Sequence, residues 1–315
     1  MKKTLAKELL QFIEKSPSTY HVIENVRARL RAAGYEELAE NARWNVKHGG
    51  KYFLTRGGTS CIAFRVPEGS ARGFMLTASH SDSPSFKIKE NSERVSGAYL
   101  QLSTEKYGGM LMAPWFDRPL SVAGRVLVDG ENGIETRLVN IDRDLLVIPN
   151  LAIHMNRAAN DGVKLLPNVD TLPLLGAASE KGAFLKLVAE NANCREEDIL
   201  GHDLTLYVRQ PGVIFGANEE FLASAKLDDL ACVFASLEGF LGAKEAACIP
   251  VLCVFDNEEV GSATRQGAAS TMLRDTLKRV TESLGMTAGH LSRMLDESFL
   301  LSCDNAHAQH PNHPE

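Results

Sequence analysis

Three acidic side chains follow an apolar stretch in the last quarter of the sequence. Asp256, Glu258 and Glu259 come directly after "IPVLCVF", and Gly261 stands just behind them. Adjacent carboxylates repel one another and are costly to remove from water, so the group requires either open solvent or a cation. A solvated turn and a metal site are therefore the two interpretations that the rest of the sequence has to separate.

Residues of the same kinds follow two other predicted strands and begin one predicted helix. "GFMLTA" leads to His80 and Asp82, "FLLSC" leads to Asp304, and Asp228 stands beside Asp229 in the first turn of an apolar helix. In an open α/β sheet, functional sites form where the carboxyl ends of the strands meet. If the three strands are parallel neighbours, one imidazole and several carboxylates converge, and such a cluster is stable only around a cation.

The donor types favour zinc or another divalent transition metal ion. Imidazole nitrogen with carboxylate oxygen suits zinc, and also cobalt or manganese, whereas calcium requires more oxygen ligands. The number of acids indicates two ions with one bridging carboxylate. Asp82 lies two residues after His80, where it is able to accept the second imidazole N–H. Glu258 and Glu259 point in different directions, so one can bind metal while the other acts as a base on metal-activated water.

The elements that position these residues predict an α/β domain interrupted by a β-rich insert. Two helices open the chain, "KYFLTRGGTSCIAFRV" is typical of a hairpin, and strands alternate with helices in the C-terminal third. The intervening segment contains short alternating runs instead. We therefore predict a discontinuous α/β domain of residues 1–92 and 216–315, and an inserted β-rich domain of residues 93–215.

Composition argues against several classes of partner. The chain has 315 residues, a formal net charge of −6 and no basic stripe, which makes nucleic acid and anionic membranes poor partners. No apolar run approaches the length of a membrane span, and charged residues interrupt the N-terminal apolar positions as in an amphipathic helix. The six cysteines form no CxxC pair, so we predict free thiols and a cytoplasmic protein.

Six segments of the sequence closely resemble the M18 metallo-aminopeptidases, the aspartyl aminopeptidases. They are "ASHSDSP", "YGGMLMAPWFDRPLSVAGRV", "IPNLAIHMNR", "AKLDDLACVFASLEG", "FDNEEVGS" and "SCDNAHAQHPNHPE". The resemblance is colinear and covers nearly the whole chain. It implies a zinc-peptidase-like α/β/α sandwich with two zinc ions, and an enzyme that hydrolyses N-terminal Asp or Glu residues from peptides.

The resemblance also implies roles for individual residues of the peptidase domain. His80, Asp228, Glu259 and Asp304 match zinc ligands, with Asp228 bridging the two ions. Glu258 matches the general base that deprotonates the attacking water and then passes the proton to the leaving amine.

Three further residues match the active site with other roles. Asp82 matches the residue that orients His80, and His307 matches a residue of the substrate pocket. The insert matches a domain that assembles homo-oligomers, a dodecamer in the family. Its His154 matches a histidine that is presented to the active site of a neighbouring subunit.

The C-terminal end departs from the pattern of the family. Family members continue beyond "HPNHPE", and the continuation carries one more zinc-binding histidine. We therefore expect this chain to bind fewer than two zinc ions and to hydrolyse Asp-peptides poorly.

Two alternatives to an active acidic aminopeptidase stay open. One is a truncated, catalytically impaired fragment or an assembly-only subunit of the same family, although the retained Glu258 and Asp82 argue against a subunit that only assembles. The other is a dinuclear zinc amide deacylase with a different substrate. No basic residue is identifiable from the sequence as the partner of the substrate carboxylate.

Overall fold

A division into two units characterises the chain in the computed structural model, which describes residues 2–177, 181–244 and 247–315. One unit comprises Met1–Ser83 and Lys226–Glu315, and the other comprises Pro84–Ala225. The second unit thus interrupts the first in sequence.

Helices and strands follow one another along both units. The first segment forms α1 (Lys2–Glu14), α2 (Thr19–Ala32), β1 (Glu36–Glu37), β2 (Lys51–Arg56), β3 (Ser60–Arg65) and β4 (Phe74–His80). The second unit forms β5 (Ser85–Ser96), β6 (Tyr99–Tyr107), β7 (Leu120–Gly130), β8 (Gly133–Asn140), α3 (Pro167–Asp170), β9 (Leu174–Gly176), α4 (Ala183–Ala192), β10 (Ile199–Val208), β11 (Val213–Phe215) and β12 (Phe221–Ala223). The last segment forms α5 (Leu227–Gly242), β13 (Ile249–Phe255), α6 (Met272–Ser283), α7 (Ala288–Asp296) and β14 (Phe299–Ser302).

The sheet of the first unit places the three predicted strand ends side by side. Its order is β1-β2-β3-β13-β4-β14, and both β13 and β14 run parallel to β4. β2 and β3 form the predicted hairpin, which turns at Gly57 and Gly58 with φ values of 64° and 78°. Glycine adopts this left-handed conformation without a steric penalty. The condition for convergence, that β4, β13 and β14 are parallel neighbours, is met.

Helices cover both faces of this sheet. Along β13, Leu252 and Val254 pack into a cluster with residues of α1, α2 and α5, whereas Val251 and Cys253 pack with residues of α6 and α7 on the other face. Successive strand residues point to opposite faces, so a strand buried on both sides reads as one continuous apolar run. The α/β fold with helices on both sides of the sheet follows from this pattern.

The second unit is built on antiparallel strands. Its sheet has the order β8-β7-β10-β5-β6-β9, and the side chains of α4 pack in the same core. β7 passes so close to β10 that a Cβ on Gly124 would lie 2.0 Å from the carbonyl oxygen of Asp203. Only glycine is compatible with that approach.

The limits of the second unit differ from the predicted domain limits of 92/93 and 215/216. The structure divides the chain after Ser83 and after Ala225. The reason at the first limit is that β5 pairs with β6 and β10 of the second sheet instead of belonging to the first unit. At the second limit, the β11–β12 hairpin also belongs to the second unit.

Two further properties concern the helices and the cysteines. Within the described ranges, none of the helices combines the length and apolar composition needed to cross a membrane. All six cysteines are free thiols, as predicted.

Candidate metal centre

His80 ends β4 with its imidazole buried at the carboxyl edge of the sheet, and only 4% of the residue is exposed. The Nδ1 atom lies 3.0 Å from the backbone oxygen of Asp82 and 3.3 Å from its Oδ1. These acceptors require a proton on Nδ1, which leaves Nε2 as the ligand atom. Nε2 is buried and makes no hydrogen bond within the described part of the chain.

Three carboxylates from separate elements surround Nε2. Oδ1 of Asp228 lies 3.3 Å away, Oδ1 of Asp304 lies 3.8 Å away, and Oε2 of Glu258 lies 3.9 Å away. Ligand atoms about 2.0–2.2 Å from a tetrahedral zinc ion lie about 3.4 Å from one another. The donor types and their separations therefore fit a zinc ion.

The donor atoms form two overlapping groups in which every pair lies within 4.8 Å. The first group is His80, Asp228, Asp229 and Asp304, and the second is His80, Glu258 and Glu259. All four predicted metal ligands lie in these groups, together with the predicted base. His80 is the one imidazole that both groups contain.

Asp228 and Asp229 interrupt the first turn of α5. Neither residue has helical φ and ψ angles, and the peptide bond between them is cis. The side chain of Asp228 is 55% exposed and faces the cluster, whereas Asp229 is fully buried. Oδ2 of Asp229 accepts a hydrogen bond from the backbone N–H of His80 at 3.0 Å.

Sequence reasoning assigned no function to Asp229. Its spacing from Val233 and Leu237 is four and eight residues, which places it on the buried face of α5. That periodicity is the signal that identifies an inward-facing acid at this position.

Glu258 and Glu259 lie in the turn after β13, and the side chain of Asp82 holds this turn in place. The carboxylate of Asp82 accepts hydrogen bonds from the backbone N–H groups of both glutamates, each at 3.2 Å. Asn257 begins the turn and Gly261 ends it, with φ values of 63° and 96°. Asparagine and glycine are residue types that adopt this conformation readily.

The charges of the cluster change the proton affinity of His80. Burial acts to lower the pKa of the imidazole, and it is opposed by the hydrogen bond and charge of Asp82 and by the charges of Asp229 and Glu258. The net effect raises the pKa to about 9. Without metal, this imidazole therefore holds a second proton at neutral pH.

The pKa values of three carboxylates in the cluster are raised as well. Burial, with the charges of neighbouring acids, raises the pKa of Glu259 to about 7. Burial and the charge of Asp304 raise the pKa of Asp228, and burial raises that of Asp229 to about 6. All three shifts arise first from burial, and the charges of neighbouring acids add to them, so a cation at this edge would favour the ionised carboxylates.

Two predicted site residues lie outside the cluster. His307 is exposed and belongs to neither of the two donor groups. His154 is exposed in a turn of the second unit. Their predicted roles in substrate binding and in a neighbouring active site stay predictions.

Comparison with known proteins identifies the family to which the fold belongs. Residues 12–315 match the family described as aminopeptidase I zinc metalloprotease (M18). The probable M18 family aminopeptidase 2 of Clostridium acetobutylicum is 45% identical over 98% of this chain and 74% of its own length.

Solved structures give the same result. A chain in the cryo-EM structure of the Ape4 and Nbr1 complex superposes with a TM-score of 0.95 and 34% identity over 99% of this chain and 65% of its own length. A chain of the S. cerevisiae mApe1 dodecamer superposes with a TM-score of 0.85 and 27% identity over 98% of this chain and 73% of its own length. The chain belongs to the M18 family of zinc-dependent aminopeptidases.

Proposed function

We propose that this chain carries the metal-binding and catalytic groups of an aminopeptidase that removes acidic residues from the N-terminus of peptides. The observation that supports it most is the buried Nε2 atom of His80, which lies within 4 Å of carboxylates from three separate elements. The preference for Asp or Glu rests on the family resemblance.

Zinc would be held in two positions, with Asp228 shared between them as the family resemblance implies. His80 and Asp304 would complete the first position, and Glu259, whose donor atom groups with those of His80 and Glu258, would belong to the second. When bound, zinc polarises the scissile carbonyl and lowers the pKa of a coordinated water. The second position lacks an imidazole of its own among the described residues, so we propose that the first is filled more tightly.

Glu258 is the general base in this proposal. Its side chain is 48% exposed, which leaves the carboxylate accessible to substrate, and Asp82 fixes the backbone from which it projects. Glu258 takes a proton from the attacking water and gives it to the leaving amine. His80 keeps its Nδ1 proton on Asp82 throughout, so that Nε2 stays directed at the site.

We also propose that the protein is a cytoplasmic homo-oligomer. Leu151, Ile153 and Met155, which flank His154, are 64%, 49% and 77% exposed, and apolar side chains clustered in this way are typical of interfaces. The related S. cerevisiae mApe1 forms a dodecamer. His154 and His307 would then contact substrate, His154 in the active site of a neighbouring subunit.

Hydrolysis of Asp-, Glu-, Leu- and Ala-anilides, with and without a chelator, tests the proposal. We expect zinc-dependent turnover of the Asp and Glu substrates alone. Glu258→Gln should lower turnover by about 10²–10⁴-fold while zinc stays bound. Glu197→Gln, at a side chain that is 68% exposed in the second unit, is the matched control.

Three outcomes separate the candidates. Undiminished turnover by E258Q would overturn the role of Glu258, and equal turnover of all four anilides would overturn the acidic preference. Zinc binding without any turnover would favour the catalytically impaired member of the family, which the lack of a second imidazole among the described donor groups also favours.

A further inference from the structure

Asp229 has no part in the proposed chemistry, yet it is fully buried within the site. Both of its oxygens are removed from solvent. Oδ2 accepts the backbone N–H of His80, and Oδ1 is buried without a hydrogen bond of normal geometry. Burying a carboxylate is unfavourable unless compensating contacts stabilise it. The contact between Asp229 and His80 is therefore the place to look for the role of Asp229.

The sheet shows why the N–H of His80 needs this acceptor. The N–H of Ser81, the next residue, donates to the carbonyl of Phe255 on β13. Because N–H groups alternate between the two sides of a strand, the N–H of His80 points toward β14. β14 pairs with β4 only as far as Ser302 opposite Ala78, so its ladder has ended before His80 is reached. Oδ2 of Asp229 replaces the missing carbonyl.

The same residue is joined directly to Asp228, the proposed bridging ligand. A second contact reinforces the link, because the hydroxyl of Ser83 donates to the backbone oxygen of Asp228 at 2.9 Å. The loop after β4 and the start of α5 are therefore held together on both sides of the 3.3 Å approach between His80 Nε2 and Asp228 Oδ1.

We infer that Asp229 is a positioning residue of the metal centre: by accepting the backbone N–H of His80, it fixes the distance between His80 and Asp228 before any ion binds. The inference rests on the proposed function, since it takes these two residues as ligands of one ion. A group that orients a ligand affects metal affinity even though it never touches the metal.

Zinc affinity is the readout that separates positioning from a purely structural role. The apo protein and its variants are titrated with Zn²⁺ against a chromogenic chelator, and folding is checked by circular dichroism. Asp229→Ala removes the acceptor and should weaken zinc binding by about 10–100-fold. Asp229→Asn keeps an oxygen acceptor and should restore most of the affinity. Thr276→Ala, which removes a buried hydroxyl from α6 away from the site, is the matched control.

The outcomes are distinct. D229A with wild-type zinc affinity would overturn the inference, and so would D229N that binds as weakly as D229A. If D229A does not fold, Asp229→Ser, whose shorter side chain cannot reach the N–H of His80, takes its place in the same comparison. If His80→Ala also leaves zinc binding unchanged, the proposed metal centre itself is wrong. If H80A alone weakens binding, only the role of Asp229 fails.

Discussion

The carboxylate of Asp82 accepts a hydrogen bond from the backbone N–H of Glu258, 176 positions further along the chain, at 3.2 Å. The same carboxylate bonds the N–H of Glu259 and lies 3.3 Å from Nδ1 of His80. One buried side chain thus connects the proposed base, one proposed ligand and the imidazole.

Asp82→Asn tests this connection. The amide presents an oxygen to one backbone N–H but its own NH₂ group to the other, so the turn that carries both glutamates loses part of its support. We expect zinc affinity and turnover to fall by about 10–100-fold. Isothermal titration with Zn²⁺ and anilide kinetics measure the two effects. Asp142→Asn, at an exposed carboxylate of the second unit, should change neither. A D82N variant with unchanged affinity and turnover would contradict the argument.

Zinc affinity should rise with pH between about 6 and 8. The pKa of Glu259 is about 7 and that of His80 about 9 in the metal-free chain, and both groups must lose a proton to act as ligands. Protons therefore compete with zinc, and we expect roughly a tenfold gain in affinity per pH unit for each proton released. Titrations in buffers of different ionisation enthalpy count those protons. Affinity that does not change over this range would be the contrary result.

The stability of the metal-free chain should depend on Glu259 in a pH range that the pKa defines. A carboxyl whose pKa is raised on folding from 4.5 to about 7 binds more protons in the native state than in the unfolded state. Its contribution is fully present below pH 4.5 and is lost as pH rises through 7. Thermal unfolding in a chelator should show that Glu259→Gln is stabilised relative to the parent at pH 8, with the difference vanishing near pH 4.

The comparison with E259Q is essential because other buried groups titrate in the opposite direction. Burial lowers the pKa of His21 to about 4 and that of Lys226 to about 7, so both add stability as pH rises. The profile of the parent chain alone would mix these contributions. An E259Q stability profile parallel to that of the parent would mean that the pKa of Glu259 is not raised on folding.

The stability of the first unit is expected to depend on the apolar face of α5, the helix that carries Asp228. Leu237 is fully buried in the cluster that joins α5 to α1 and α2. Leu237→Ala should lower the free energy of unfolding of the first unit by about 2–5 kcal/mol, because it removes buried surface and leaves a cavity. Leu295→Ala, at a side chain that is 46% exposed, should change it by less than about 0.5 kcal/mol.

The two tryptophans allow that measurement to be made on one unit at a time. Trp44 belongs to the core of the first unit and Trp115 to that of the second. In a Trp115→Phe background, urea denaturation followed by fluorescence reports the first unit alone. Equal midpoints for L237A and L295A would contradict the assignment of Leu237 to the core.

The sequence is sufficient to predict the sheet edge at which the site lies. β13 is buried on both faces, so it reads as an uninterrupted apolar run, and the polar residue types change abruptly where it ends. The same contrast marks the end of β4. These two ends are adjacent because the strands pair in parallel, which the alternation of strands and helices already favours.

Contacts between distant segments are beyond such reasoning. Nothing in the local sequence shows that Asp82 bonds the turn at Glu258, because that contact exists only once β4 and β13 lie side by side. The predicted limits of the insert differ from those of the second unit for a similar reason. β5 belongs to the second unit because it pairs with β6 and β10, and those partners come later in the chain.

The order of strands in the first sheet has a consequence for biosynthesis. β4 lies between β13 and β14, and both of these are translated only after the whole second unit. At about 5–20 residues per second, β4 waits on the order of ten seconds on the ribosome before either neighbour emerges. During that interval the backbone N–H and C=O groups along both edges of β4 lack the partners that β13 and β14 later supply, and other extended segments are able to pair with them.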